Sequence, residues 1–433
     1  MRRHRLPLRL LSAAFVAVHC YKKDDAKFLL PLWSQQAAQC HSSRRVHSAK
    51  FELPPSIQAL QPSSLGRLHD RVELSGMSES NACTPLHEAA SLGLAEDIVK
   101  LIANGANVNA SDAAGTTPLM IAASLGHRTI CQCLVDANAD LNAADADGST
   151  ALHVAAYHGQ LDIAAMLIHA GADVSSTRPD GINVLIIAIR EGHQELAMAL
   201  LPFFDWTEFH VAIAAAWGHV ALVDDLVALR PDLVGLSAIH AAVERGHLAT
   251  VKALLHAPLK NRQDVLNSAM LHAAKTGQLA VLHLLLDEGA NVAAADETGN
   301  TVIHLAARHN HVDVLMDALR HDPIQLAAFV GVPNFDGESA VHLAAKGGHC
   351  AMLQQLRSLG ASLAGRTASG LTAVHFAAAN GHLDAVKYLQ AAGCDVNQES
   401  EYLMGKTPLE LATLHGHHHV MRYYLQSTEA HSR

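Results

Sequence analysis

The fold of this chain is decided by a motif that recurs every 33 residues. It reads TPLHEAASLG at Thr84–Gly93, TPLMIAASLGH from Thr117 and TALHVAAYHG from Thr150. Further copies follow with less regular spacing and begin at Asn183, Phe209, Ser237, Ser268, Thr301, Ser339, Thr372 and Thr407. Self-similarity at a period of this length is typical of a solenoid, in which each copy is one supersecondary unit.

Each copy carries the start and stop signals of a short helix. In the first copy, the Thr84 hydroxyl can cap the free N–H groups of a helix whose first position is Pro85. Gly93 can take the left-handed conformation that ends the helix. Asn138 stands where a glycine ends the second segment of other copies, and it is the next-best residue for this conformation.

A second helix follows the first in each copy. The segment LDIAAMLIHAG puts Leu161, Ala164, Leu167 and Ile168 on one stripe at helical spacing and ends at Gly171. One helix pair buries too little apolar surface to offset an ordering entropy of about 1–2 kcal/mol per residue. Neighbouring copies must therefore stack and share their apolar faces.

These landmarks resemble those of the ankyrin-repeat family. They are Thr84-Pro85-Leu86-His87, Ala89-Ala90, Gly126-His127 and Gly171-Ala172-Asp173-Val174, and the resemblance extends from Thr84 to about Leu425. It implies an all-α solenoid of about 11 helix-turn-helix units with short β-hairpin-like fingers. It also implies that the fingers and the first helices form a concave binding surface.

The spacing predicts an irregular centre. The copies at Asn183, Phe209 and Ser237 are only 26 and 28 residues apart. We expect blunted fingers there and a change of path, with two halves meeting near residue 205. The predicted division is an N-terminal extension over 1–80, regular repeats over 81–204, shortened repeats over 205–267, and repeats with a terminal cap over 268–433. The longer stretch RHDPIQLAAFVGVPNFDG predicts a larger loop.

Composition limits the function classes. A net charge of −10 argues against a nucleic-acid binder held by its overall field. The seven cysteines are scattered without a C-x-x-C pair, which favours reduced thiols in a cytoplasmic protein over disulfides or a zinc site. We expect a monomer that has a protein partner and no integral membrane span.

The stretch LHGHHHVM, residues 414–421, raises the question of a metal site. It holds His415, His417, His418 and His419. Gly416 interrupts the run, so one helix does not align them as i, i+4 ligands. In the repeat register, His417 matches the glycine-histidine position of other copies, where a structural bond near the helix turn is expected. We therefore predict no metal and no cofactor.

Chemical motifs are also missing from the sequence. It contains no G-x-S-x-G, no G-x-x-x-x-G-K, no H-E-x-x-H and no kinase signature, so no catalytic residue is assigned. This favours a non-enzymatic interaction scaffold or adaptor. The alternative is a substrate receptor of a larger enzyme complex, such as a ubiquitin ligase, that recruits its machinery through the N-terminal region.

The resemblance implies that the two residues before the glycine of each helix turn face the groove. Cations recur there, and two aromatic residues can act as anchors; the predicted partner-binding residues are Tyr157, Arg190, Trp217, Arg245, Lys275, Arg308 and Lys346. This pattern predicts an acidic or phosphorylated segment as the partner. The competing interpretation is a solvated helix face, and Glu191 and Glu244 dilute the charge.

The two ends of the chain differ from the repeats. Arg2, Arg3, Arg5 and Arg9 precede an apolar run that is too short to span a membrane, and no acid occurs before Asp24. This composition fits a mitochondrial transit peptide as an alternative to a cytoplasmic location. We expect SSLGRLHDRVEL to cover the first repeat and VMRYYLQSTEAHSR to cap the last.

Overall fold

A computed structural model describes residues 83–321, 329–400 and 405–431 of the chain. Within these residues the protein is an all-α repeat solenoid, as predicted, with 22 α-helices and no strand. The fingers are turns, and two of them hold a single antiparallel bridge, Thr177 to Asn183 and Arg366 to Thr372.

The helices form 11 pairs, one for each copy of the motif. The first helices are α1 (Pro85–Ser91), α3 (Pro118–Ser124), α5 (Ala151–Tyr157), α7 (Val184–Arg190), α9 (Glu208–Ala216), α11 (Leu236–Glu244), α13 (Arg262–Thr276), α15 (Val302–His309), α17 (Ala340–Lys346), α19 (Ala373–Ala379) and α21 (Pro408–Leu414). The second helices are α2 (Ala95–Ala103), α4 (Arg128–Asp136), α6 (Leu161–Ala170), α8 (Gln194–Leu200), α10 (Val220–Leu229), α12 (Leu248–Leu255), α14 (Leu279–Asp287), α16 (Val312–His321), α18 (Cys350–Ser358), α20 (Leu383–Ala391) and α22 (His418–His431).

The predicted caps are confirmed, and histidine completes them. Thr84 precedes α1 in an extended conformation, and Pro85 is the first helical residue. His87 Nδ1 accepts the Thr84 N–H at 3.2 Å and lies 2.8 Å from its hydroxyl. The ring therefore takes the place of the glutamate or glutamine in a capping box. Its Nε2–H donates to the Thr116 carbonyl of the next repeat at 3.0 Å, so one side chain joins two repeats.

The turns between helices use the left-handed conformation that the sequence predicts. Gly93 has φ +77° and Asn138 has φ +60°. Both values lie where glycine, and after it asparagine, is least strained.

The core consists mainly of small and aliphatic side chains. Ala89, Ala90 and Leu86 of α1 are at most 5% exposed, and the first helices of neighbouring repeats pack on each other. On α6 the buried stripe differs from the predicted one. Ala164 and Leu167 are fully buried, but Ile163 is buried instead of Leu161 and Ile168. This second helix packs on α5 and also on α4.

The irregular centre lacks regular fingers. Short 3-10 turns, Leu201–Phe203 and Pro231–Leu233, stand in their places. Helix α13 begins six residues before the motif copy at Ser268, so extra helix replaces the finger there. Asn267 Oδ1 in this extension accepts the Asn291 N–H at 2.8 Å, as Asn142 Oδ1 accepts the Asp173 N–H in a regular finger.

The chain divides into two compact units, which adjoin in sequence at Asp225 and Leu226. The four-part division made from the sequence stays a prediction. The segments predicted for 1–80, including the cap of the first repeat, lie outside the described residues. Over the part of the chain that the structure describes, the helices are too short or too polar to cross a membrane.

Candidate partner-binding groove

The groove positions are the last residues of the first helices, and a row of histidines fixes their backbone. In six repeats, the histidine that follows the Gly or Asn of the helix turn donates Nε2–H to the carbonyl of a groove residue in the preceding repeat. In the first compact unit, the pairs are His193 with Tyr157 and His219 with Arg190, at 2.9 and 2.7 Å. In the second, they are His311 with Lys275, His349 with Arg308, His382 with Lys346 and His417 with Ala379, at 2.9–3.1 Å.

Four of the predicted cations lie at groove positions of the second compact unit. Lys275, Arg308 and Lys346 occupy equivalent places, whereas Arg245 follows Glu244, which holds the equivalent place in its own repeat. Arg245, Lys275, Arg308 and Lys346 are all exposed, at or next to the ends of α11, α13, α15 and α17. These helices pack as consecutive neighbours. The structure therefore brings these four side chains onto one face.

An acidic side chain that the sequence did not single out lies among these cations. One Glu338 oxygen is 3.4 Å from Lys346 Nζ and the other is 4.0 Å from the Arg308 guanidinium. Glu338 is 9% exposed, whereas the two cations remain exposed. It occupies the position just before the N-cap of α17, so the motif register gave no reason to place it in the groove. Only the reach of the long cationic side chains brings the charges together.

Two histidines of this face have lowered pKa values, and burial is the first cause at both. Burial lowers the pKa of His309, and His311, Lys275, Arg308 and His349 lower it further by charge repulsion. The pKa of His349 is also lowered by burial and then by two neighbouring histidines, against the effect of its bond to the Arg308 carbonyl. Of the groups that act on His309, Lys275 and Arg308 carry a permanent positive charge, and these are exposed to an anion in the groove.

The other predicted residues lie in the first compact unit. Arg190 is 7% exposed, and its guanidinium is 2.7 Å from a Glu191 carboxylate oxygen. Its charge is thus compensated. Tyr157 is half-buried and edge-on to His158, with ring centroids 5.0 Å apart, and burial raises its pKa. Trp217 is half-buried immediately after α9.

The histidine run near the C-terminus has structural bonds. His417 Nε2–H donates to the Ala379 carbonyl at 2.9 Å, and His419 to the Gly381 carbonyl at 2.7 Å. Gly416 separates α21 from α22 with φ +74°. No group of three or more metal-ligating side chains comes together in residues 83–321, 329–400 or 405–431.

Stacked helix pairs with a row of exposed groove residues define a protein-interaction repeat solenoid. The family described as Ankyrin repeats (3 copies) matches residues 86–178, 209–296, 239–323, 270–367, 315–400 and 341–432. The chain therefore belongs to the ankyrin-repeat family, which confirms the resemblance, and such repeats bind protein partners. Residues 179–208 fall outside these matches, although α7 and α8 form a helix pair there.

Individual relatives are similar over shorter stretches. The nuclear factor NF-kappa-B p105 subunit of Rattus norvegicus is 30% identical over 137 residues, covering 30% of this chain and 14% of the relative. Human ankyrin repeat and SOCS box protein 3 is 38% identical over 89 residues, 21% of this chain and 17% of the relative. Human B-cell lymphoma 3 protein is 30% identical over 135 residues, 29% of each. The chain thus spans less than a third of the length of these relatives.

Proposed function

We propose that this protein is a non-enzymatic interaction scaffold or adaptor that binds an acidic or phosphorylated segment of a protein partner in its second compact unit. The observation that carries the proposal is the presence of an exposed cation at a groove position of four consecutive repeats, Arg245, Lys275, Arg308 and Lys346. Complementary charge supplies specificity and fast association. A bound acidic segment would compete with Glu338 for two of the cations.

The test measures binding of a defined acidic probe, a fluorescein-labelled peptide of alternating glutamate and phosphoserine. In one variant, Arg245, Lys275 and Arg308 are each changed to Glu. We expect its affinity for the probe to fall at least tenfold, because attraction becomes repulsion. For the wild type, affinity should also fall between 50 and 300 mM salt, since exposed charges are screened.

The matched control reverses the same number of exposed cations on second helices, Lys252→Glu, Arg320→Glu and Arg357→Glu. The net charge changes equally, so binding within twofold of wild type would assign the effect to the groove. Equal binding by the groove variant and the wild type would refute the charge-based proposal. The natural partner can then be sought as the protein captured by the wild type and the control but lost with the groove variant.

The second candidate is a substrate receptor of a larger enzyme complex, such as a ubiquitin ligase. The observation that favours it is the similarity to a protein whose name joins ankyrin repeats to a SOCS box. Deleting residues 1–80 separates the two proposals. A receptor would keep its target and lose its enzyme complex, whereas an adaptor would keep every partner.

A further inference from the structure

Charge is distributed very unevenly along the chain. Residues 83–225, the described part of the first compact unit, contain 17 Asp or Glu and 4 Lys or Arg, a net charge of −13. Residues 226–433 contain 18 acids and 15 cations, a net charge of −3. The first unit therefore carries most of the negative field of the protein, and strong asymmetry of this kind indicates an oppositely charged partner.

Most cations of the first unit are already engaged by acids. Arg178 and Arg190 are each 7% exposed, and their partners are Asp180 at 3.3 Å and Glu191 at 2.7 Å. Lys100 Nζ lies 3.2 Å from an Asp97 oxygen. These pairs leave a large excess of acids to set the sign of the surface.

The first two repeats of this unit place an exposed leucine in the groove, directly before the glycine of the helix turn. Leu92 is 63% exposed and Leu125 is 38% exposed, at equivalent places after α1 and α3. Tyr157 ends α5 in the next repeat, one residue before the place equivalent to Leu92 and Leu125, and Glu88 is exposed one turn before Leu92. The three helices pack in sequence, α1 on α3 and α3 on α5. The face thus offers apolar contacts within an anionic field.

We propose that this face binds the chain's own first 20 residues, MRRHRLPLRLLSAAFVAVHC. That segment combines what the face lacks: four arginines with no acid, interleaved with leucines and followed by an apolar run. Residues 1–50 carry 10 Lys or Arg and 2 Asp, a net charge of +8 that is opposite in sign to the −13 of residues 83–225. The arginines meet the acids, and the leucines cover Leu92, Leu125 and Tyr157.

The connection is long enough for this contact. Residues 21–82 join the segment to the start of the first unit, and a chain of that length can span at most about 200 Å. Neighbouring packed helices are roughly 10 Å apart, so the groove residues of the first unit lie within roughly 40 Å of α1. The contact differs from the proposed acidic-segment site in the residues used and in the sign of the charge.

The experiment places the photo-crosslinking residue p-benzoylphenylalanine at position 125 of the full-length chain. A second chain carries it at position 279, where Leu279 is 40% exposed on α14 in the second unit and serves as a matched control. After irradiation of dilute protein, mass spectrometry identifies the attached residues. We expect crosslinks from position 125, and not from position 279, to residues 1–20.

A companion variant changes Arg2, Arg3, Arg5 and Arg9 to Glu and should reduce that crosslink at least tenfold, as should 500 mM salt. A yield independent of protein concentration would show that the contact lies within one chain. Crosslinks only to residues 21–82, only between chains, or at an unchanged yield in the Glu variant would each overturn the proposal. Because the probe acts in the first unit, binding of the acidic peptide to the second unit can succeed or fail separately.

Discussion

At the scale of single residues, Glu338 occupies the place beside Arg308 and Lys346 where the proposed acidic segment would bind. Glu338 lies within 4.0 Å of both Arg308 and Lys346, yet those cations keep part of their surface free. An incoming acidic segment must share them with a carboxylate that is already in place. If the proposed acidic segment binds here, Glu338 weakens its binding while keeping Arg308 and Lys346 oriented.

Removing that charge should strengthen binding. Glu338→Gln keeps the side-chain shape, and its main-chain bonds with Asn334 do not involve the carboxylate. We expect the acidic peptide to bind about twofold to fivefold more tightly, since partly exposed ion pairs contribute about 1 kcal/mol or less. Fluorescence anisotropy measures the change. Glu288→Gln, which removes the partner of Arg262 on another surface, should leave affinity unchanged; weaker binding by Glu338→Gln would contradict the competition.

At the scale of elements, one helix has taken over the function of a finger. Helix α13 extends from Arg262 to Thr276, and the extension holds the next repeat through Asn267, whose Oδ1 accepts the Asn291 N–H at 2.8 Å. Asn142 makes the same bond to Asp173 from a regular finger, also at 2.8 Å. The two local structures differ, but the contact that links neighbouring repeats is retained.

This equivalence predicts equal stability costs. Asn267→Ala and Asn142→Ala should each reduce the free energy of unfolding by about 1 kcal/mol, because each leaves a backbone N–H without its acceptor. Asn267→Ala also removes an exposed hydrogen bond from Gln263 Nε2 to the same oxygen. Urea unfolding followed by circular dichroism measures both. Asn397→Ala provides a comparison. Asn397 occupies the same position in its repeat as Asn142 but lies near the end of the array. A cost for Asn142 alone would show that the helical extension is not a substitute for the finger.

Some features of the helices and of the groove could be predicted from the sequence, and others could not. The motif placed the first helices, their Thr caps and their glycine ends correctly because those features are local. It did not predict the length of α13, because its extra turns carry no copy of the motif. The burial of Arg190 was missed for a related reason: its equivalents Ser91 and Ser124 are small, and exposure depends on neighbours that spacing does not report. Glu338 was missed because its contacts depend on side-chain reach.

At the scale of the whole molecule, buried and half-buried histidines run through both compact units, and we expect them to make the stability of the fold depend on pH. Burial is the main cause of a lowered pKa at His153, His210, His240, His272, His304, His342 and His375. For His153 and His240 the pKa falls from 6.5 to about 4. At several of these sites Nδ1 accepts a backbone N–H, as His153 does from Thr150, which requires the unprotonated nitrogen.

The sign of the pH effect follows from proton uptake. Between pH 6.5 and about 4, the unfolded chain binds protons at these rings that the folded chain excludes, so stability is full above pH 6.5 and is lost as the pH falls. For His153, which is 1% exposed, the loss at pH 5 should be about 1–2 kcal/mol.

His153→Gln should reduce this loss, because glutamine can still accept the Thr150 N–H but does not titrate. The urea midpoint measured at pH 7.5, 6 and 5 gives the slope, and His283→Gln on the exposed face of α14 is the control. An equal slope in wild type and His153→Gln would mean that the acid sensitivity arises elsewhere.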